Sequence, residues 1–378
     1  MSSEAKIEAR CLCRANTFTA SIPQSKLPLT GLLCHCDSCR HLTGCLFSSG
    51  VEWPSTLPTS SNLKTFAFSP DVNIHFCSTC GTPMFFEPKK EELGPLCVES
   101  GALEETAGIV KYTQHILIGD TKDGGASDWL STIPGQGQLK RFIGMMDKSE
   151  EVPIGWRQNR SSERAPEHSE VKKDDKIKGS CKCGGVSFHV TRPDEVSADY
   201  KLDLRWKDKP ESDRVPWWLY GANQDRYTTN CCCCESCRTE SGVDFVSWAF
   251  VPAHNIVPST GGKFSTSFGT LKTYKSREGR TWCFCSECGA MCFLICSDQR
   301  PEVIDVAAGL LWSKEGARAE DWLGWLTEKI SFDSDGGKRP LIEALRAGLK
   351  VWNESNGDPK GFERSAKHLG YADKKQDW

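Results

Sequence analysis

Polar and apolar residues alternate over short stretches along most of the chain. Residues 17–22 (TFTASI) and 186–191 (VSFHVT) switch at every position, and 115–121 (HILIGDT) and 301–309 (PEVIDVAAG) are rich in β-branched residues. A two-residue period places alternate side chains on opposite faces of a strand. Pro, Gly and Ser interrupt these runs often, which predicts short strands in small all-β units. One segment has a helical period: in 340–352 (PLIEALRAGLKVW), Leu341, Ile342, Leu345, Leu349 and Trp352 form a stripe behind a helix-starting proline. The pattern thus predicts a mainly β chain with short helices and a C-terminal helix.

The cysteines organise this pattern into a repeat. Cys11 and Cys13 are followed by Cys34, Cys36, Cys39 and Arg40, then by Cys77, Cys80 and Gly81. Cys181 and Cys183 are followed by Cys232, Cys234, Cys237 and Arg238, then by Cys285, Cys288 and Gly289. Later landmarks recur too: Val98 to Gly101 parallels Val306 to Gly309, and Asp128-Trp129-Leu130 parallels Asp321-Trp322-Leu323. The same clusters in the same order indicate a duplicated domain. The expected boundaries are 1–146 for the first copy, 147–178 for a charged linker, 179–333 for the second copy, and 334–378 for the helix and a loosely ordered tail. Twenty residues separate Cys13 from Cys34, whereas 47 separate Cys183 from Cys231. The second copy therefore carries an insertion, 192–228, suited either to walling a neighbouring cleft or to lying on the surface around Trp217 and Trp218.

Composition narrows the setting. The chain has 378 residues, 38% hydrophobic and 26% charged, with a formal net charge of −3. That balance argues against nucleic acid as a partner. No apolar run reaches the ~18 residues a bilayer span requires, and the opening MSSEAKIEAR lacks the apolar core of a secretory signal. The expectation is a cytoplasmic protein in a reducing compartment, where its 21 cysteines are thiols rather than disulfides.

Spacing separates two kinds of sulfur site. In each copy the C-x2-C-G turn offers two thiolates and the C-x-C pair two more, which makes a closed four-sulfur zinc site: Cys11, Cys13, Cys77 and Cys80 in the first copy, Cys181, Cys183, Cys285 and Cys288 in the second. The glycine after the second cysteine permits the positive φ of such a turn. The middle clusters have three matched cysteines each, Cys34, Cys36, Cys39 and Cys232, Cys234, Cys237. Three thiolates leave zinc one open position, the mark of a catalytic site, and a soft metal with a vacancy takes up a further thiolate. Glutathione is the abundant small thiol of a reducing cell, and Arg40 and Arg238 are placed to hold its carboxylate or to lower a cysteine pKa. Two rival readings remain: a structural zinc completed by His35 or another cysteine, and metal-free nucleophilic or redox thiols. Cys231 and Cys233 fall outside the repeat and are expected to point away from Cys232 and Cys234. Cys45, Cys97, Cys283, Cys292 and Cys296 are expected to be buried small residues.

The combined pattern C-x-C, C-H-C-x2-C-R-x3-G, F-C-x2-C-G resembles the glutathione-dependent formaldehyde-activating enzyme family, which also includes centromere protein V. CKCGGVSF at 181–188 looks like the family's usual opening. The resemblance implies two tandem β-tent domains, each with a four-cysteine structural zinc and a second, three-cysteine zinc site. It implies a carbon–sulfur lyase or synthase that joins a small-molecule thiol, glutathione, to an electrophile. The family's centromere member suggests a different reading, a non-catalytic zinc scaffold for a protein or chromatin partner, and a zinc or redox store is a third. The sequence departs from the family pattern at Arg14-Ala15, where two glycines are usual, and at Cys233, where the histidine of C-H-C would stand.

Overall fold

The computed structural model describes residues 3–146, 148–157, 172–207, 210, 214 and 216–356. The centre of the expected linker and the expected loose tail therefore lie outside the described residues. Within them the chain is mainly β, with three α-helices: α1 (Asp37–Thr43), α2 (Glu235–Ser241) and α3 (Pro340–Asn356).

The duplication is visible strand by strand. In the first copy, Leu29–Cys34, Ser48–Glu52, Cys97–Glu99, Pro83–Pro88, Val72–Cys77 and Leu63–Ala67 lie side by side in that order. In the second, Arg226–Cys232, Val246–Pro252, Val303–Ala307, Met291–Cys296, Arg280–Cys285 and Leu271–Arg277 repeat the order. Each sheet also gains a parallel strand from the end of its copy: Val110–Ile116 beside Leu29–Cys34, and Leu323–Ser331 beside Arg226–Cys232. A parallel neighbour needs a long crossover, and here the rest of the repeat supplies it. The expected two-residue period holds at the edges, as in Glu4–Arg10 and Thr17–Pro23, while the central Val246–Pro252 is buried at every position. A strand covered on both faces reads as a continuous apolar run.

The copies pack against each other through reciprocal contacts. Gly309 N–H donates to Gly44 O (3.0 Å), and Gly101 N–H donates to Gly242 O (2.8 Å). Lys64 Nζ donates to Ser286 O and Lys272 Nζ to Ser78 O, both at 2.7 Å. Matched residues touching each other's counterparts are the signature of a two-fold interface, so the chain is built as a dimer of its own halves. One apolar core runs through both. A buried ion pair crosses the same boundary, Arg318 Nη1 to Asp128 Oδ2 (3.2 Å), and Arg339, paired with Asp244 of its own half (2.7 Å), donates from Nη2 across it to Ser100 O (2.6 Å).

α3 fulfils its sequence pattern and runs four residues further. Leu341, Ile342, Leu345 and Leu349 are buried, and Trp352 packs edge-on against Trp129 of the first copy. The interface glycines leave no room for a side chain. A Cβ on Gly309 would lie 2.0 Å from the Cys45 carbonyl oxygen. Backbone cannot yield as a side-chain tip does, so G309A is expected to cost about 3 kcal/mol, the upper end for overpacking. Urea unfolding monitored by tryptophan fluorescence will read this as a lowered midpoint; an unchanged midpoint would mean that the halves do not pack this way.

Candidate metal centres and cavity

Each hairpin turn aims two sulfurs at a distant knuckle. Cys11 and Cys13 occupy the turn between Glu4–Arg10 and Thr17–Pro23, and Cys77 and Cys80 flank the turn after Val72–Cys77. The Sγ atoms of Cys11, Cys13, Cys77 and Cys80 lie within 4.8 Å of one another, as do those of Cys181, Cys183, Cys285 and Cys288. Neighbouring sulfurs are 3.5 Å apart in Cys11–Cys13 and Cys13–Cys77, and 3.6 and 3.5 Å apart in Cys181–Cys183 and Cys183–Cys285. A tetrahedron with bonds of about 2.3 Å has sulfur edges of about 3.8 Å, so both sets fit a four-coordinate soft ion. Gly81 (φ 89°) and Gly289 (φ 78°) supply the left-handed turn. Arg14 (φ 61°) adopts the left-handed conformation that Gly184 (φ 78°) takes in the second copy, so the departure from the family's two glycines strains one residue without altering the turn.

The triplets are equally alike in their backbone. Cys36 and Cys234 are the N-caps of α1 and α2, and their Sγ atoms each accept from the N–H of the last cysteine, Cys39 or Cys237, at 3.3 Å. Cys34, Cys36 and Cys39 bring their sulfurs within 4.8 Å, as do Cys232, Cys234 and Cys237. Hydrogen bonds from Cys34 and then Cys39 pull Cys36 down to about 3, and those from Cys232 and then Cys237 hold Cys234 well below a free thiol.

The residues between these cysteines point elsewhere. His35 gives Nε2 to His115 Nδ1 (2.8 Å) and stacks on Phe47, so its ring is engaged away from the triplet. Cys231 meets Ser247 Oγ (3.8 Å), and Cys233 packs beside Gly336. Alternate residues of an extended segment thus divide between two faces. Of the other cysteines, Cys45, Cys283 and Cys292 are buried, Cys97 is half-buried, and Cys296 is buried but lines a cavity.

That cavity distinguishes the two triplets. Cys34 and Cys39 sit in a small apolar cluster with Ile116 and Phe142, flanked by Leu32, Phe68, Phe86 and Leu117. Cys232, Cys234 and Cys237 instead open into a cavity of about 390 Å³. Its floor is one face of the second sheet, read out by the strand period: Asn230 with Cys232, Trp248 with Phe250, Arg280 with Trp282, Leu294 with Cys296. The insertion adds Arg205 and Trp217, so of the two roles expected for it the structure shows the wall. Trp248 Nε1 donates to Cys237 Sγ (3.4 Å). Corresponding positions in the first copy carry Gly50 for Trp248, Glu52 for Phe250, Ile74 for Trp282 and Val72 for Arg280.

Basic side chains mark the far part of the cavity. Arg205, Arg277, Arg280 and Arg300 all line it. Arg300 Nη2 donates to Asp305 Oδ2 (2.8 Å), Arg205 Nε to Asp203 Oδ1 (2.9 Å), and Arg280 pairs with Asp298. Burial raises the Asp305 carboxyl, and its ion pair with Arg300, with the charges of Arg280 and Arg205, opposes that rise. Arg300 lies over the Phe250 and Trp217 rings, at 5.3 and 5.6 Å from their centroids.

Each copy also roofs the other's triplet. Leu12, between Cys11 and Cys13, lines the second copy's cavity. Lys182, between Cys181 and Cys183, donates from its N–H to His41 O (2.8 Å) and from Nζ to Ser38 Oγ (2.7 Å), beside the first triplet. A four-cysteine turn in one half therefore shapes the three-cysteine site in the other. Neither Leu12 nor the cavity arginines stand out in the sequence; only a position-by-position comparison of the repeats, with Trp248 against Gly50, carries a signal.

Arg40 and Arg238 are both buried. Arg40 Nη2 donates to Asp37 Oδ1 (2.5 Å), and Arg238 Nη1 donates to Gly101 O and to Leu103 O (2.9 Å) of the first copy. No helix among the described residues is long and apolar enough to cross a membrane.

No curated protein matches the chain. The family model described as glutathione-dependent formaldehyde-activating enzyme matches residues 6–119 and 219–324. The second match begins at residue 219, within the last part of the insertion, leaving Cys181 and Cys183 upstream of it. With both copies matched over more than half its length, the chain belongs to the glutathione-dependent formaldehyde-activating enzyme family.

Proposed function

We propose that the protein is a zinc enzyme that makes or breaks the bond between a glutathione-type thiol and an electrophilic carbon, and that the second copy does the work. The single observation that carries this reading is the arginine-lined cavity into which Cys232, Cys234 and Cys237 open. Zinc held by three thiolates supplies an open position and the positive charge that keeps an incoming thiol ionised. Glutathione bears two carboxylates, and Arg205, Arg277, Arg280 and Arg300 bring positive charge to the lining, three of them sharing it with Asp203, Asp298 and Asp305. The anion-binding role expected of Arg40 and Arg238 passes, in this reading, to those four; Arg238 holds α2 against the first copy instead.

In the forward direction the thiolate sulfur donates its electron pair to a carbonyl carbon. The C–S bond forms, the C=O π pair moves to oxygen, and that oxygen takes a proton; Tyr274 and Asp335, both lining the cavity, are candidates to hold it. The reverse step expels the thiolate. In the same reading the first triplet, packed among Ile116, Phe142, Phe68 and Phe86, is not the working site. A scaffold for a protein partner would have no use for the arginines that line the cavity at the second triplet. The test is two-dimensional NMR exchange between glutathione, a panel of aldehydes and their S-hydroxyalkyl adducts. Zinc-loaded protein should raise at least one exchange rate about 100-fold, the lower range for acid–base assistance. Buffer-level rates across the panel would refute the reading.

A further inference from the structure

The two triplets have the same ligands and the same cap geometry, so a side chain that touches a sulfur in one copy and has no counterpart in the other stands out. Trp248 is such a side chain. Its indole Nε1–H donates to Cys237 Sγ at 3.4 Å. The strand register places Trp248 two residues beyond the partner of Cys232, and Gly50 two residues beyond the partner of Cys34. Glycine has no side chain to donate, so Cys39 receives no such bond from the matched position.

The surroundings fix this contact. Trp248 is buried, and an indole N–H is a donor only, so in the interior it needs an acceptor. The strand period turns Trp248 and Phe250 toward the cavity that Cys237 also lines. Trp282 is tilted against the Trp248 ring with centroids 6.2 Å apart, and its own Nε1 donates to Ser276 Oγ (3.0 Å). Two large rings and a serine thus set the angle at which one N–H meets one sulfur. A hydrogen bond to an ionised group is roughly twice as strong as one between neutral groups. The contact therefore favours Cys237 as a thiolate, the form that ligates a metal.

The consequence follows from charge. A thiolate that shares a lone pair with an N–H gives less of it to a metal. A metal bound by a less donating ligand keeps more positive charge at its open position. Partners of this outer kind change metal affinity or activity about 10–100-fold. We infer that Trp248 is a positioning residue of the second triplet, its N–H drawing charge from Cys237 and so strengthening the hold on an incoming thiolate. The effect on the metal stands on this contact alone; the effect on thiol binding rests on the thiol-addition reading above.

The test uses the full-length protein with cobalt(II) in place of zinc, at saturating metal, and subtracts variant from wild-type absorption spectra so that unaltered sites cancel. In W248F the sulfur-to-cobalt charge-transfer band should move to longer wavelength, because a sulfur relieved of its hydrogen bond gives up electrons more readily. Glutathione affinity, measured by calorimetry on the zinc-loaded protein, should fall about tenfold or more. Trp248→benzothienylalanine keeps the two-ring shape and exchanges only the N–H for sulfur. It should reproduce both changes, and it covers the case in which W248F does not fold. Trp217 lines the same cavity but donates its N–H to Asp203 Oδ2 (2.8 Å), so W217F should leave the cobalt band in place. A benzothienylalanine variant with the wild-type band would overturn the inference, since Trp248 would then only fill space; the thiol reading would stand. A shifted band with unchanged glutathione affinity would overturn its thiol part. If the band shifts but the wild type itself binds no glutathione, the effect on the metal holds and the thiol reading fails.

Discussion

Replacing Cys77 with serine is expected to remove one zinc equivalent per chain and, with it, glutathione binding at the second copy's cavity, although Cys232, Cys234 and Cys237 are untouched. Cys77 ends a central strand, and its sulfur lies 3.5 Å from that of Cys13. Structural zinc contributes ~10–16 kcal/mol in small finger peptides, comparable to the whole stability of a domain, about 5–15 kcal/mol. Losing one of four ligands therefore releases the turn that carries Leu12, and Leu12 lines the opposite cavity. Metal content by atomic emission and glutathione titration by calorimetry check both halves of the expectation. L12A keeps every ligand and covers the case in which C77S does not fold. Exposing one leucine-sized contact costs about 1.5–3 kcal/mol, so glutathione affinity should fall about tenfold or more. Full zinc content and wild-type affinity in C77S would show that the halves work independently.

The grouping of the sulfurs was legible because it is local. A C-x-C pair and a C-x2-C-G turn place their thiolates by short-range geometry, and duplication filtered Cys231 and Cys233 out of a run of four. The C-terminal helix was legible for the same reason, from the spacing of Leu341, Ile342, Leu345 and Leu349. The cavity was not. Arg205, Arg280 and Arg300 converge from an insertion and separate parts of the sheet, and Leu12 arrives from the other copy; no local pattern encodes such meetings. Arg238 shows how little adjacency alone fixes. It follows Cys237 directly, which suggests a shared role, but successive residues on a helix diverge by about 100° (3.6 per turn), and its guanidinium reaches the Gly101 and Leu103 carbonyls instead.

The second large effect separates the two triplets. C234S should abolish thiol binding and turnover, whereas C36S should leave both within a few-fold of wild type. Even an outer partner of a metal ligand costs about 10–100-fold when removed, so loss of Cys234 itself should cost at least about 100-fold. Cys234 caps α2 through its Sγ, and its cluster opens into the cavity. Cys36 has the same cap geometry and is shifted in the same downward direction by its neighbouring thiols, but its cluster packs against Phe142, Ile116 and their neighbours. The contrast tests surroundings rather than ligands, since the ligand sets are alike.

The most direct measurement is calorimetric titration of the zinc-loaded protein with glutathione, run on wild type, C36S and C234S. One glutathione should bind per chain in wild type and in C36S, and none in C234S. Two per chain in wild type, or binding that survives C234S and disappears in C36S, would contradict the assignment of the working site to the second copy.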